Sequence, residues 1–275
     1  MSNRTVRDYR GLSPGSDFVH IPMNRGIYAA ANGMVAQQYA MDAVANNLAN
    51  LGTTGYKQDV PSFRELHAIA ASRYSGSPPQ RGPYVGELGT GAALDSAAID
   101  LSRGPLVRTR EPLDLAIEGD GFFAIQTPAG IRLTRDGHFH RMLDGSGKVT
   151  GLLANDDGDL LMGEKGPIDV GKAARVEIAR DGAVSADGRV VGRVRLKTAP
   201  REALHKEGGN RFAVDGTPTD ANAAIKQEFL EQSNVDPIRS MVKIIAVQRA
   251  YEAMQKAIVA QDETLTKAAV EIARV

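Results

Sequence analysis

The sequence predicts an α+β protein in which antiparallel helices near the two chain ends form a coiled-coil-like pair around an inserted all-β, hairpin-rich domain. Two observations carry this prediction. Apolar residues recur at heptad spacing near both ends, and Asp-Gly pairs punctuate short β-type runs between them. The length of 275 residues allows one large domain or two smaller ones.

The elements follow in chain order. Residues 1–22 are polar, with Gly11, Pro14, Gly15 and Pro22, and read as a flexible N-terminal arm. In the next stretch, 23–51, Ile27, Ala31, Met34, Gln38, Met41, Ala45 and Leu48 alternate steps of four and three, the spacing of a coiled-coil seam. Gly26 and Gly33 each weaken that helix by ~1 kcal/mol relative to alanine. Residues 52–85 run into a Gly/Pro-rich stretch and read as an extended connection.

Residues 86–234 carry the β texture. Asp-Gly recurs at 120, 136, 144, 157, 181, 187 and 215, between runs such as "LDLAI", "FFAI" and "RVVGRVRL". Both residues of the pair tolerate positive φ, so each is expected to turn an antiparallel hairpin. Over 235–275 the heptad returns: Ile244, Tyr251, Ile258, Leu265 and Ile272, with Val247, Met254, Gln261 and Ala268 at the second seam position. Asp236-Pro237 is a start signal, a capping carboxylate followed by proline in the first turn. A helix from there to about residue 273 has a length on the order of 50 Å.

Each seam needs a partner, and the other seam is the simplest one. Antiparallel pairing brings Leu48 near Met241, Met34 beside Met254 and Ile27 near Gln261. The final turns of the second helix, after about Leu265, then overhang. The stretch "NNLANLGTTGYK" raises a separate question, because Asn46, Asn47 and Asn50 crowd a helix end with amides that need partners. Part of the answer is a polar C-cap with Asn50 in left-handed geometry.

Composition excludes several functions. Lys plus Arg is 33 and Asp plus Glu is 33, so no net charge draws the chain to nucleic acid. With no cysteine, thiolate metal sites and cysteine nucleophiles are ruled out. No apolar run is long enough to insert in a membrane, and the first residues lack the apolar core of a cleaved signal peptide. "LANDDGDLLMGE" approaches a calcium loop through Asn155, Asp157 and Glu164, but Leu153 takes the first ligand position, so a hairpin turn is expected. "HFH" sets His138 and His140 on one strand face at a spacing that binds zinc, with no third ligand nearby in sequence. "GELGTG" at 86–91 lacks the elements of a dinucleotide loop. The cations of "RVVGRVRLK" (Arg189, Arg193, Arg195, Lys197) read as a solvated face. No catalytic, cofactor-binding or metal residues are assigned, and no cofactor or small-molecule substrate is expected.

Three stretches resemble the bacterial flagellar axial proteins, the rod and hook group. "NNLANLGTTGYK" resembles their N-terminal signature (Asn46, Asn47, Leu48, Asn50, Thr53, Gly55, Tyr56, Lys57). "LDLAIEGDGFFAIQTPAGIRLTRDGHFHRMLDGSGKV" is similar to their shared β segment. "FLEQSNVDPIRSMVKIIAVQRAYEAMQKAI" is similar to their C-terminal signature, which includes Gln232, Ser233, Asn234, Gln248 and Arg249. "GPIDV", "VEIARDGAVS" and "VGRVRL" look more like the proximal rod protein, whereas "EQSNV" is similar to the distal one.

The resemblance implies a non-enzymatic subunit of the basal-body rod, exported by the flagellar secretion apparatus without a cleaved signal peptide. It implies self-assembly through subunit-interface seams at Ile27, Met34, Met41, Leu48, Ile244, Tyr251, Met254, Ile258, Leu265 and Ile272. Partners would be other rod subunits and copies of itself, with hook and export-gate proteins as further candidates. The crowded amides would then satisfy one another or neighbouring subunits. A distal rod or hook-type protein, a cell-wall-acting enzyme, and a ligand-binding β module with dimerising helices are the alternatives. Rod proteins start just before the equivalent of Gly26, so residues 1–22 are an additional arm or lie upstream of the true start.

Overall fold

The computed structural model describes residues 25–65, 68–75, 80–89, 92–143 and 148–272. The arm at 1–22, the Asp144-Gly145 turn and the end of "GELGTG" lie outside them.

Helix α1 (Arg25–Ala49) and helix α2 (Pro237–Ile272) flank a large antiparallel β domain, an α+β arrangement. At the start of α2, Asp236 Oδ1 accepts from the N–H groups of Ile238 (3.0 Å) and Arg239 (3.1 Å), the cap that Asp-Pro predicts. The expectation of a left-handed Asn50 is not met. The positive φ belongs to Gly55, at 67°.

The helices lie against each other. A Cβ at Gly33 would sit 2.7 Å from Met254 Sδ, and one at Gly26 would sit 2.5 Å from Gln261 Oε1. The order is reversed between the two helices, so α1 and α2 run antiparallel, with Gly33 at Met254 and Gly26 at Gln261, each one residue before the expected Met34 and Ile27. These glycines are therefore contact points, and their missing side chains let α2 approach. On α2 Ser240 and Val247 are buried, and Pro237, Ile244, Ala250, Tyr251, Met254, Ile258 and Gln261 are half-buried. From Asp262 to Glu271 every residue is exposed, Leu265 included, because α1 has run out. On α1 the buried stripe is Ala36, Ala40, Val44 and Asn47. Ile27, Met34, Met41 and Leu48 flank that stripe half-buried, while Gln38 and Ala45 are exposed. Gly26 and Gly33 lie at the contact with α2.

β structure begins at Asp59, inside the stretch expected to be an extended connection. Asp59–Glu65 pairs with Ala92–Ile99, and Ala68–Ser75 pairs with Gln80–Gly89, all antiparallel. The first of these ribbons lies along α1. The main sheet runs in the order Leu204–Gly208, Arg211–Val214, Gly130–Thr134, Phe122–Thr127, Leu160–Gly163, Val149–Ala154, His140–Leu143. A three-stranded sheet is formed by Val176–Ile178, Ala183–Ala186 and Arg189–Arg193. Two further pairs close the domain, Leu115–Glu118 with Ala224–Gln227 and Leu106–Arg108 with Phe229–Glu231.

Asp-Gly turns hairpins at 157, 181 and 187, where the flanking strands pair. At 120, 136 and 215 the expectation fails, because the strands on either side pair elsewhere. Two hydrophobic clusters share the strand Phe122–Thr127. Phe123 and Ile125 face one, with Leu115, Phe139, Leu153 and Leu161, while Phe122 and Ala124 face the other, with Leu133, Leu204 and Phe212. A strand buried on both faces reads as a continuous apolar run, and "FFAI" is one.

Candidate functional site: the joint and the helical faces

The signature residues gather where the chain leaves α1 and where it enters α2. Asn47 is buried, and its side chain pairs with the backbone of Asp59 in both directions. Nδ2 donates to the Asp59 carbonyl and Oδ1 accepts from the Asp59 N–H, each at 2.8 Å. The Tyr56 hydroxyl donates to Asn46 Oδ1 (2.8 Å) and to Asn47 Oδ1 (3.1 Å). Burial, reinforced by the charge of Asp59, pushes that phenol up to about 12, so it remains a donor. Asn50 Nδ2 donates back to the Asn46 carbonyl at 2.8 Å, and Thr53 Oγ1 donates to Asn50 Oδ1 at 3.3 Å. The amides therefore find their partners within one chain. Neighbouring subunits are not needed to satisfy them.

On the other side of the joint, Asn234 Nδ2 donates to the carbonyls of Asp100 (2.9 Å) and Ser102 (3.1 Å), and its Oδ1 accepts from the Gln58 N–H. Ser233 is buried, with Oγ accepting from the Val235 N–H. Gln232 is exposed but ties its N–H to the Pro105 carbonyl. Gln248 and Arg249 lie on the exposed side of α2, outside the joint.

Three charges are buried at the centre. Glu231 Oε1 is 2.6 Å from Lys57 Nζ, and Glu231 Oε2 is 3.0 Å from Arg135 Nη1. All three residues are at most 4% exposed. Burial pushes the Lys57 amine and the Arg135 guanidinium down, and in each case Glu231 opposes the shift. Lys57 also donates to the Ser102 carbonyl, and Gly104 N–H donates to Glu231 Oε1. Gly55 N–H donates to the Glu231 carbonyl at 2.7 Å. No side chain fits at Gly55, since a Cβ there would lie 2.3 Å from the Arg135 carbonyl carbon. Nothing in the local sequence marks Arg135 or Glu231 as part of the site; only their separation from Lys57 in the chain, closed by folding, reveals it.

The motifs set aside above have structural partners. Asn155 Oδ1 accepts from the Asp159 N–H, and Arg211 holds the Asp159 carboxylate, so "NDDGD" is a turn. Arg193 pairs with Asp181 and Glu164, while Lys197 is buried against Asp220. His138 Nδ1 lies 2.8 Å from buried Asp114, on the wall of a cleft of about 740 Å³. Burial pulls the His138 imidazole down, but the bond and charge of Asp114, with Asp156 and Asp136, outweigh it and hold the pKa above its ordinary value. His140 lies 3.5 Å from Asp156.

Outside the joint the helices carry exposed apolar side chains among the described residues. Tyr28, Val35 and Tyr39 on α1, and Ile238, Met241, Val242 and Ile245 on α2, are 49–74% exposed. No helix among the described residues is long and apolar enough to cross a membrane. The fold is a β domain whose two end helices are held together at the joint, with large apolar side chains exposed on both.

Comparison with known proteins agrees. Profiles match residues 27–57 ("Flagella basal body rod protein"), 116–186 ("Flagellar hook protein FlgE/F/G D1 domain") and 226–270 ("Flagellar basal body rod FlgEFG protein C-terminal"). The flagellar basal-body rod protein FlgF of Caulobacter vibrioides is 33% identical over 242 residues, spanning 85% of this chain and 92% of that one. The flagellar basal-body rod protein FlgG of Agrobacterium fabrum is 32% identical over 260 residues, spanning 87% of this chain and 96% of that one. FlgG of Bacillus subtilis is 31% identical over 265 residues, spanning 88% and 97%. The chain belongs to the flagellar basal-body rod proteins, a family of structural components of the flagellum's basal body. Relatives carrying the two rod-protein names stand level, at 33% and 32%.

Proposed function

We propose that this rod subunit self-assembles through its terminal helices, with residues 23–51 and 235–275 forming a polymerisation core and residues 86–234 an outer domain. Within one chain α1 and α2 form a coiled-coil-like pair through their seams. The opposite helix faces meet other copies and related rod subunits, and the exposed turns of α2 after Gln261 extend that contact. Hook and export-gate proteins are further candidate partners. The "GPIDV" and "VGRVRL" stretches favour the proximal over the distal rod position. Export uses the flagellar secretion apparatus.

The observation that supports this reading is the set of large apolar side chains left exposed on both helices, which is where a subunit interface is expected. Val242, 61% exposed, is the test position. Val242→Asp is expected to leave the thermal unfolding of the isolated protein unchanged while abolishing its incorporation into hook-basal bodies. Normal incorporation and swimming would sink the proposal. Electron microscopy of a tagged subunit in isolated hook-basal bodies reads the position along the rod directly.

A further inference from the structure

The buried charges at the joint come from three different parts of the chain. Lys57 lies on the segment leaving α1, Arg135 lies within the β domain, and Glu231 lies on the segment entering α2. Glu231 is 174 residues from Lys57 and 96 from Arg135. Burying three charges costs desolvation, and apolar side chains of similar volume fill such a space at no greater cost. What the charges add is conditionality. If the segment bearing Glu231 is absent, Lys57 and Arg135 are left as two buried cations without a counter-charge, and if either cation is absent, Glu231 keeps one partner and loses the bond to the other, which is unfavourable. Around them, the Gly55 N–H binds the Glu231 carbonyl, the Gln58 N–H binds Asn234, and Asn47 clamps Asp59. Both helix exits are thus fastened to the same buried group.

We propose that Lys57, Arg135 and Glu231 form a closure lock that fixes the directions of α1 and α2 relative to the β domain only once the segment preceding α2 has joined the segment following α1. Until the lock closes, the β domain folds but its helices point in no single direction. The lock thereby ties the presentation of the helical faces to completion of the whole chain.

The chain has no cysteine, so spin labels can be placed freely. Two pairs join the β domain to each helix: Val190→Cys with Gln38→Cys for α1, and Val190→Cys with Lys256→Cys for α2. All three positions are exposed. In the parent protein both distance distributions are expected to be narrow. Glu231→Gln keeps the shape but removes the shared counter-charge, and is expected to broaden both about twofold or more. Lys57→Met releases only the α1 side while Arg135–Glu231 remains paired, so it is expected to broaden the α1 distribution alone. Leu161→Ala, in the β core, is the control. It lowers the unfolding temperature and is expected to leave both distributions narrow. If Glu231→Gln does not fold, the asymmetric result for Lys57→Met decides. Narrow distributions in Lys57→Met, or equal broadening in Leu161→Ala, would overturn the lock.

Discussion

The joint and the helical pair are neighbours along the chain but opposites in chemistry. At the joint, the Asn47 amide, the Tyr56 phenol and three charges are buried, and nearly all of their polar atoms are bonded within one chain. Along the helices Met254 lies over Gly33 and Gln261 over Gly26, and large apolar side chains around that contact are exposed. The difference separates two tasks. Polar networks demand fixed geometry, since each missed bond carries a desolvation penalty, and so they define direction. Apolar faces are non-directional, and remain available to whatever covers them.

The largest effect expected from breaking the joint is at Gly55. Gly55→Ala forces a side chain against the Arg135 backbone at a φ of 67°. It is expected to destabilise by about 3 kcal/mol or more in urea unfolding, if it folds at all. Unchanged stability would mean that the chain does not pass so close to Arg135.

Asn47→Ala comes next. It strips both bonds from the Asp59 backbone, with an expected loss of about 2 kcal/mol. Asn47→Asp offers no donor to the Asp59 carbonyl and is not expected to rescue stability. Full rescue by Asp would show that only one of the two bonds matters.

On the helices the contrast between chain and assembly sharpens. Ile258 is half-buried against α1, and Ile258→Asp is expected to cost about 1–2 kcal/mol in the isolated protein. Leu265 is 43% exposed, and Leu265→Asp is expected to stay within about 0.5 kcal/mol. Both are expected to abolish motility and incorporation. A Leu265→Asp strain that swims would confine the interface to the part of α2 that faces α1.

The smallest effect is electrostatic and lies in the β domain. The folded pKa of His138 stands above its ordinary 6.5. Its contribution is therefore fully present below that value and is lost as pH rises through the folded pKa. The stability difference between the parent and His138→Gln is expected to shrink on raising the pH from about 6 to about 8. A difference that grows over that window would mean that Asp114 does not bind the charged imidazole.

The sequence by itself determined the two helices and their places near the chain ends. Heptad spacing is a local periodicity, and helix geometry turns it into a face without reference to the rest of the chain. Asp236-Pro237 likewise set the start of α2, because a cap acts within one turn. The hairpins at 157, 181 and 187 were legible for the same reason. Asp-Gly at 120, 136 and 215 misled, since a turn signal states that the chain bends and not which strand it will pair with. Only the tertiary structure decided that the strand from Asp59 pairs with Ala92–Ile99, and that the crowded asparagines bind their own chain. Only it placed Arg135 and Glu231 beside Lys57. Glu231 lies 174 residues from Lys57 and 96 from Arg135, and no pattern in neighbouring residues encodes a meeting at that distance. The burial of Ala36, Ala40 and Val44 on α1 was decided there too, since α1 packs against both α2 and the ribbon of Asp59–Glu65 with Ala92–Ile99.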